Sequence, residues 1–115
     1  MRIKRGVTSH YKHKKILAAT KGFRGTKHRL IRVAKEASLH AGQYAYHGRK
    51  IRKRDFRQLW ITRISEAIRA YDLNYSQFIN KLKKANINLD RKTLSYFVTN
   101  EPETFKTIVE KAKTA

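Results

Sequence analysis

Residues 48–64 read GRKIRKRDFRQLWITRI, and this stretch changes from cationic to apolar half-way along. At about 100° per residue, its charged and apolar side chains fall largely on one arc of an α-helix, about 200° wide. One side of a helix therefore meets two different environments along its length. The cations are Arg49, Lys50, Arg52, Lys53, Arg54 and Arg57, and the apolar residues are Phe56, Leu59, Trp60, Ile61, Ile64 and Ile68.

The cationic part of this arc predicts an anionic partner. Its cations lack acidic residues four positions away, so a helix standing alone would suffer repulsion there. A solvated face is the alternative, since runs of charge often mark one. Phosphates would remove the repulsion and release counterions, which is the main driving force of protein–nucleic acid association. The apolar part, by contrast, predicts packing against other helices.

The composition points the same way. The chain has 115 residues and a formal charge of +20, which favours one compact domain, or one small domain with an appendage. Residues 1–58 hold 18 of the 28 Lys and Arg and all five His, but only 2 of the 8 acids. Nucleic acid is the leading partner for such a chain, and an acidic membrane surface is second.

Several protein classes are disfavoured by what the sequence lacks. It has no cysteine, which excludes disulfides, zinc knuckles and thiol catalysis. No apolar run reaches the roughly 20 residues needed to span a bilayer, and no apolar segment follows the charged start as in a secretory signal. We therefore expect a cytoplasmic protein.

The first half predicts a tail and two helices. Residues 1–8 are basic without periodicity, which is typical of an extended tail. A short helix is expected from Thr8 or Ser9 to Lys21, with Gly22 in a left-handed C-terminal cap.

A second helix is expected from a cap at Thr26 to about Tyr71, since no proline interrupts the pattern. It would be about 65–70 Å long if straight, so it would project from a small domain whose radius of gyration is about 10 Å. Bending or fraying is expected at Gly42 and Gly48, because glycine costs about 1 kcal/mol in a helix interior.

Three shorter helices are expected in the second half. The first begins at Asn74 and ends at Asn86, with apolar residues at helical spacing between them. Asp90 is the expected N-cap of the next, and Asn100 that of the last, with Pro102 in its first turn. No strand is predicted, so the fold class is all-α: a long basic helical N-terminal extension plus a small C-terminal helical domain. The inward residues are Phe78, Ile79, Leu82, Ala85, Phe105, Ile108, Val109 and Ala112.

The start of the long helix carries two different faces. Arg29, Arg32 and Lys35 share its basic side, and small or apolar residues share another. The second face either packs on Ile16 and Leu17 of the first helix, forming a helical hairpin, or packs directly against RNA sugars. Its residues are Leu30, Ala34, Ala37, Ala41 and Tyr44.

The turn GFRG, residues 22–25, matches the GXXG loop with which KH domains clamp a nucleotide backbone. A KH domain also needs a sheet, which this sequence does not predict. The simpler interpretation is a turn between helices that presents Arg24 to phosphate. Phe23 is either a platform on which a base stacks or an apolar plug within the hairpin.

Some aromatic and histidine side chains leave two interpretations open. Tyr11, Tyr44 and Tyr46 interleave with basic residues, as expected where bases or riboses stack, but buried packing tyrosines fit as well. His10 and His13 could share a side and bind a metal, yet no third ligand is visible, so no metal site or cofactor is predicted.

The chain also resembles a known family. RIKRGVTSHYKHKKIL, KGFRG, QYAYHGRKIRKRDFRQLWITRI, NYSQFINKLKKANINLDRK and VEKAKTA are similar to the bacterial-type large-subunit ribosomal proteins of the L-twenty family, in order and over nearly the whole length. The resemblance implies a helical extension threaded into large-subunit ribosomal RNA and a globular domain at an RNA junction. It further implies neighbouring ribosomal proteins as partners and a role in early subunit assembly. In some members of the family, the protein also binds the messenger of its own operon and represses its translation.

Carried onto this chain, the resemblance implies an extension over residues 1–58 and an RNA-binding domain over residues 59–115, with no homo-oligomer. The implied RNA contacts of the extension are Lys4, Arg5, Lys12, Lys14, Lys15, Arg24, Arg29, Arg32, Arg49, Lys50, Arg52, Lys53, Arg54 and Arg57. Those of the domain are Ser76, Asn80, Lys83, Lys84, Arg91 and Lys92, near helix ends whose free N–H groups favour phosphates.

Two other functions compete with ribosomal RNA binding. An architectural DNA-binding protein shares the charge argument, but it should also use apolar wedges or a dimer interface, and neither is evident. An enzyme acting on nucleic acid needs a constellation of acids, whereas the first half holds only Glu36 and Asp55 and the others are spread over caps and exposed faces. No catalytic residue is predicted.

Overall fold

The computed structural model describes residues 5–114, which form α-helices and one short 3₁₀ helix without any strand. The all-α prediction is confirmed. The chain divides into two compact units, Met1–Lys50 and Ile51–Ala115. In order, the elements are α1 (Gly6–Ala19), a 3₁₀ helix (Gly25–His28), α2 (Ile31–Arg69), α3 (Tyr75–Lys84), α4 (Arg91–Asn100) and α5 (Pro102–Thr114).

Part of the segment predicted as an N-terminal tail is helical. Helix α1 begins at Gly6 rather than at Thr8 or Ser9, and residues 1–4 lie outside the described part of the chain. The helix ends at Ala19, two residues before the expected Lys21. Thr20 is its C-cap, and the Lys21 N–H donates to the carbonyl of Ala18 at 3.5 Å instead of continuing the four-residue spacing. The residues predicted as a tail can continue a helix because none of them is a proline.

The start of α2 also differs from the prediction. Thr26 does not cap α2; it lies inside the 3₁₀ helix, and its carbonyl accepts the N–H groups of Arg29 and Leu30. This tight turn delays α2 until Ile31. From there α2 continues as one helix through Gly42 and Gly48, so neither glycine interrupts it, and it ends at Arg69, near the predicted Tyr71.

The first unit has a small interior. Among its described residues, only Thr20 and Ala34 are buried, while Ile16, Leu17 and Ala37 are half-buried. The rest of the small-residue face of α2, up to Tyr44, stays exposed. Burial on that face is therefore confined to Ala34 and, in part, Ala37, whereas Leu30, Ala41 and Tyr44 are exposed.

The second unit has a continuous core, to which each of its helices contributes. Phe78 of α3 and Phe105 of α5 are central to it, with ring centroids 5.9 Å apart and tilted planes. Burying a side chain of this size stabilises a fold by about 1.5–3 kcal/mol. The apolar periodicity predicted this set well. The buried cluster is Ile64, Ile68, Phe78, Leu82, Leu94, Phe105, Val109 and Ala112.

The termini of α3 follow the predicted signals. Asn74 precedes the helix, and its N–H donates to the side-chain oxygen of Gln77 at 3.0 Å. Asn86 adopts a left-handed φ of 56° after the last turn. The N–H groups of Asn86 and Ile87 donate to the carbonyls of Lys83 and Leu82, which is the Schellman arrangement.

The caps of α4 and α5 confirm one prediction and correct another. Asp90 caps α4 by accepting the Thr93 N–H at 2.7 Å, as predicted. Asn100, however, belongs to the last turn of α4, and its amide donates to the Tyr96 carbonyl. Glu101 takes the position before α5, where its carboxylate accepts the Thr104 hydroxyl, and Pro102 is the first helical residue. The prediction was one residue early because α4 ends immediately before α5 begins.

Candidate nucleic-acid interface

The cationic run on α2 is exposed and is ordered by aromatic neighbours on the same helix. The Lys50 ammonium lies 5.3 Å from the Tyr46 ring centroid, and the Arg52 guanidinium lies 5.7 Å from that of Phe56. Phe56 stacks in turn on Trp60, with centroids 6.1 Å apart. Each pair is four residues apart, which is the spacing at which side chains meet on a helix. The run therefore presents its charge beside aromatic side chains of the same helix.

The predicted contacts of the first unit are all exposed, with Lys4 outside the described residues. Arg5 and Lys12 line a groove of about 400 Å³ along α1. Lys14 lines another, of about 580 Å³, together with three histidines and Lys21. The structure thus brings these cations into grooves, and it leaves Lys15, Arg24, Arg29 and Arg32 on open surface.

The turn at residues 22–25 is held in one conformation. Gly22 and Gly25 both have positive φ, 83° and 67°, which other residues rarely adopt. Between them, the Phe23 N–H donates to the Thr20 carbonyl, and the Phe23 carbonyl accepts Nδ1–H of His28 at 2.8 Å. With no strand among residues 5–114, the KH interpretation is wrong, and the turn is a connection between helices that leaves Arg24 exposed.

Phe23 is half-buried and forms one wall of a cavity of about 400 Å³. Ala37, Ala41 and Tyr44 of α2 line the same cavity. Phe23 thus neither lies fully open to solvent nor is fully buried as a plug.

The three predicted stacking tyrosines lie on the surface. Tyr11, Tyr44 and Tyr46 are 65%, 72% and 59% exposed. Buried packing roles for them are therefore wrong, and their rings are accessible to a stacking partner.

In the second unit, the predicted contacts on α3 share one face. Ser76, Asn80, Lys83 and Lys84 are exposed, on the side of α3 opposite the buried Phe78 and Leu82. Asn80 and Lys84 line a polar groove of about 420 Å³. This groove also takes in Lys81, Gln77 and Asp72, which were not in the predicted set.

The two predicted contacts on α4 differ from each other. Lys92 is exposed, whereas Arg91 is half-buried, with its Nε donating to the Tyr75 hydroxyl at 2.8 Å. The N-terminus of α4 is already occupied, since the Asp90 carboxylate accepts the Thr93 N–H. Hydrogen bonds from the hydroxyl and the N–H of Thr93 lower the pKa of the Asp90 carboxyl. A phosphate would meet this carboxylate there, so in an RNA contact Arg91 and Lys92 would act as charges rather than as flanks of an open helix end.

Sequence reasoning missed some cations that share these grooves. Lys21 lies with Lys14, and Lys27 lies at the Phe23 cavity. Lys21 immediately precedes Gly22, and Lys27 lies two residues after Gly25. The glycines that mark the turn could therefore have indicated that both cations lie beside it.

Two further features bear on the class of this protein. Within residues 5–114, no three histidine or carboxylate side chains converge to form a metal site. No helix in that part of the chain combines the length and apolar character of a membrane span.

The sequence pattern of ribosomal protein L20 matches residues 2–108, nearly the whole chain. The chain belongs to the ribosomal protein L20 family. The large ribosomal subunit protein bL20 of a Bradyrhizobium species is 54% identical over 114 residues, covering 99% of this chain and 96% of that protein. The protein of the same name from Francisella tularensis subsp. novicida is 53% identical and is covered to 97%.

Membership of the L20 family explains the lack of a catalytic constellation. L20 proteins are structural ribosomal proteins, so this chain is not an enzyme. The match takes in both the cationic run of α2 and the helices of the second unit. The chain therefore does not belong to the class of architectural DNA-binding proteins.

Proposed function

We propose that this chain is a structural constituent of the large subunit of the cytoplasmic ribosome and binds large-subunit ribosomal RNA. One observation carries the proposal: exposed cations at residues 49–57 stand on the same helix as Ile64 and Ile68, which enter the core of the second unit. A helix built this way anchors itself by its apolar end and offers its cationic end to phosphates. The names of the relatives support the assignment to the large subunit.

The two parts of the chain would bind RNA in different ways. Residues 1–58 form an extension that penetrates the RNA, where its cations neutralise closely packed phosphates. Residues 59–115 form a domain that already has a core and binds RNA through the exposed face of α3 and through Lys92. The chain would contribute to early subunit assembly by bringing phosphates of separate RNA segments together. It would do so alongside neighbouring ribosomal proteins.

The chain's own messenger is a second RNA that this domain would bind. The polar groove at Asn80 and Lys84 belongs to the second unit, so it can bind an RNA junction without the extension. Messenger and ribosomal RNA should then compete for one surface. A reporter carrying the chain's own leader should be repressed by the wild-type protein and derepressed by Lys84→Gln.

Charge-neutralising variants of the full chain test the ribosomal RNA proposal. Arg54→Gln with Arg57→Gln should weaken binding to a large-subunit RNA transcript and reduce the slope of log affinity against log salt by about 2. The matched control is Lys106→Gln with Lys111→Gln, which removes two exposed cations of α5 and should leave the slope nearly unchanged.

Crosslinking of both double variants would show where each contact is lost. Duplex DNA at the same salt concentration provides the comparison for selectivity. Equal losses in the two variants, or equal affinity of the wild-type protein for DNA and RNA, would contradict the proposal.

A further inference from the structure

The cavity beside Phe23 differs from the cationic grooves around it because it holds a carboxylate. Glu36 is one of two acids in residues 1–58, and it lines the cavity together with Lys27. A carboxylate repels phosphate, so this site is not built for the RNA backbone. It can, however, accept hydrogen bonds from N–H groups of a base.

The remaining walls suit a flat aromatic ligand. Phe23 and Tyr44 both line the cavity, and Tyr44 is stacked against His40, with ring centroids 6.2 Å apart and planes 28° apart. Ala37 and Ala41 contribute small side chains to the lining. Unpaired RNA bases are commonly held between aromatic side chains and read along their Watson–Crick edges.

The volume of the cavity and the charge of Glu36 restrict the class of ligand further. About 400 Å³ lies within the usual range of small-molecule sites. The Glu36 side chain is 73% exposed, and its Oε1 lies 3.8 Å from His40 Nε2, beyond hydrogen-bond distance, so both of its oxygens can accept hydrogen bonds from a ligand. Guanine is the RNA base that presents two adjacent N–H donors, at N1 and N2, and these match the two oxygens of a carboxylate.

We propose that this cavity binds one unpaired guanine of the ribosomal RNA. The base stacks between Phe23 and Tyr44, its N1–H and N2–H donate to Glu36, and Lys27 contacts an adjoining phosphate. The inference rests on the proposed RNA-binding function and adds a base-reading site to it. Positive charge alone gives this chain affinity for any RNA, whereas a guanine site determines the position in the RNA at which the extension binds.

The test compares two substitutions that each remove one negative charge but should change RNA affinity differently. Removing a negative charge from a polycationic chain normally strengthens RNA binding. Asp55→Asn, at the other acid of the first half, should therefore leave affinity for a large-subunit RNA transcript unchanged or raise it. Glu36→Gln should instead lower affinity about tenfold, because the amide can accept only one of the two N–H groups and its NH₂ opposes the other.

Chemical footprinting identifies the base. Kethoxal, which reacts with N1 and N2 of unpaired guanine, should find one guanine that the wild-type protein protects and that Glu36→Gln and Tyr44→Ala expose. Tyr44→Phe should retain the protection, since it keeps the stacking ring. Replacing that guanine by inosine, which lacks the N2 amine, should weaken wild-type binding but not that of Glu36→Gln.

The outcomes separate this inference from the proposed function. If the wild-type protein binds the transcript but Glu36→Gln behaves like Asp55→Asn, the guanine site is wrong and RNA binding stands. The site is also wrong if Glu36→Gln acts only when other ribosomal proteins are present, because the cavity then receives a protein side chain. If the wild-type protein does not bind the transcript, both proposals fail. Glu36 and Tyr44 are exposed, so circular dichroism should show all variants folded as the wild type.

Discussion

Arg91, the first residue of α4, donates a hydrogen bond from Nε to the hydroxyl of Tyr75, the first residue of α3, at 2.8 Å. The bond joins the beginnings of two helices that are connected by a loop, and Arg91 is half-buried where it forms. A residue predicted from the resemblance as an RNA contact thus also holds the second unit together. Its terminal guanidinium nitrogens remain the groups that would meet phosphate.

Tyr75→Phe should therefore lower the free energy of unfolding by about 1 kcal/mol, the usual contribution of one hydrogen bond. Urea denaturation of the full chain measures this change. Tyr96→Phe is the matched control, because Tyr96 is an exposed tyrosine of α4 and its substitution should leave the free energy of unfolding unchanged. Equal stability of Tyr75→Phe and the wild type would mean that the bond does not persist in solution.

Asp90 should make the stability of α4 depend on pH. Hydrogen bonds from Thr93 lower the pKa of its carboxyl in the folded protein, so ionisation favours folding. This contribution is complete above the ordinary aspartate pKa of about 3.9 and is lost as the pH falls through the lower folded-state value. Asp90→Asn retains a capping side chain but not the charge.

Melting temperatures of the wild type and Asp90→Asn should consequently differ at pH 7 and converge at acidic pH. Asp90→Ala should be the least stable of the three at pH 7, because it loses the cap as well. A constant difference between wild type and Asp90→Asn down to the lowest pH would refute the linkage.

Asn86 occupies a left-handed position after α3, and its substitution should reveal the strain of that position. Asn86→Ala should lower the free energy of unfolding by about 1 kcal/mol, since a Cβ is disfavoured at positive φ without the compensation that asparagine provides. Asn86→Gly should raise it slightly. Asn88→Gly is the control, because Asn88 does not have a positive φ and glycine there should only destabilise.

Gly42 and Gly48 lie inside α2, where a methyl group would meet no atom within 4 Å beyond the adjacent residues and the local helix backbone. Gly42→Ala and Gly48→Ala should each stabilise the helix by about 0.5–1 kcal/mol. Far-ultraviolet circular dichroism of the free protein would show this as increased helicity. Gly22→Ala should do the opposite, since Gly22 has a φ of 83°. A loss of helicity in Gly42→Ala would point to a bend that the glycine permits.

The two units should differ in hydrogen exchange. Thr20 and Ala34 are the buried residues of the first unit's described part, whereas the second has a core drawn from four helices. Amides of residues 5–50 should exchange rapidly in the free protein and become protected when ribosomal RNA binds, because the ordering cost is then offset by RNA contacts. Exchange measured by mass spectrometry checks this. Equal protection of both units without RNA would be the contrary result.

The helices of the second unit were largely predictable because local chemistry and burial agree there. Phe78 and Leu82 recur at helical spacing, and Asp90 caps a helix by forces that act within four residues. The helix starts at Thr26 and Asn100 were predicted wrongly because both residue types are good N-caps wherever they stand near the start of a helix. Backbone hydrogen bonds in the adjacent turns instead place Thr26 inside the 3₁₀ helix and Asn100 inside α4.

The candidate site was predictable as a distribution of charge, but not as a set of cavities. Exposed cations on α2 follow from helical spacing alone, since neighbours on a helix are set by the sequence. The grouping of Phe23 with Ala37 and Tyr44 does not follow from helical spacing, because it depends on how the turn returns the chain toward α2.

The amino-acid sequence by itself determined that this protein is helical, that its cations crowd into one half and that its apolar periodicity continues into the other. Short-range sterics and charge suffice for that. Only the tertiary structure decided that Arg91 is tied to Tyr75 and that Glu36 stands in an aromatic cavity. Those relationships arise from chain reversals at glycine and asparagine positions, where small differences in φ and ψ bring distant residues together.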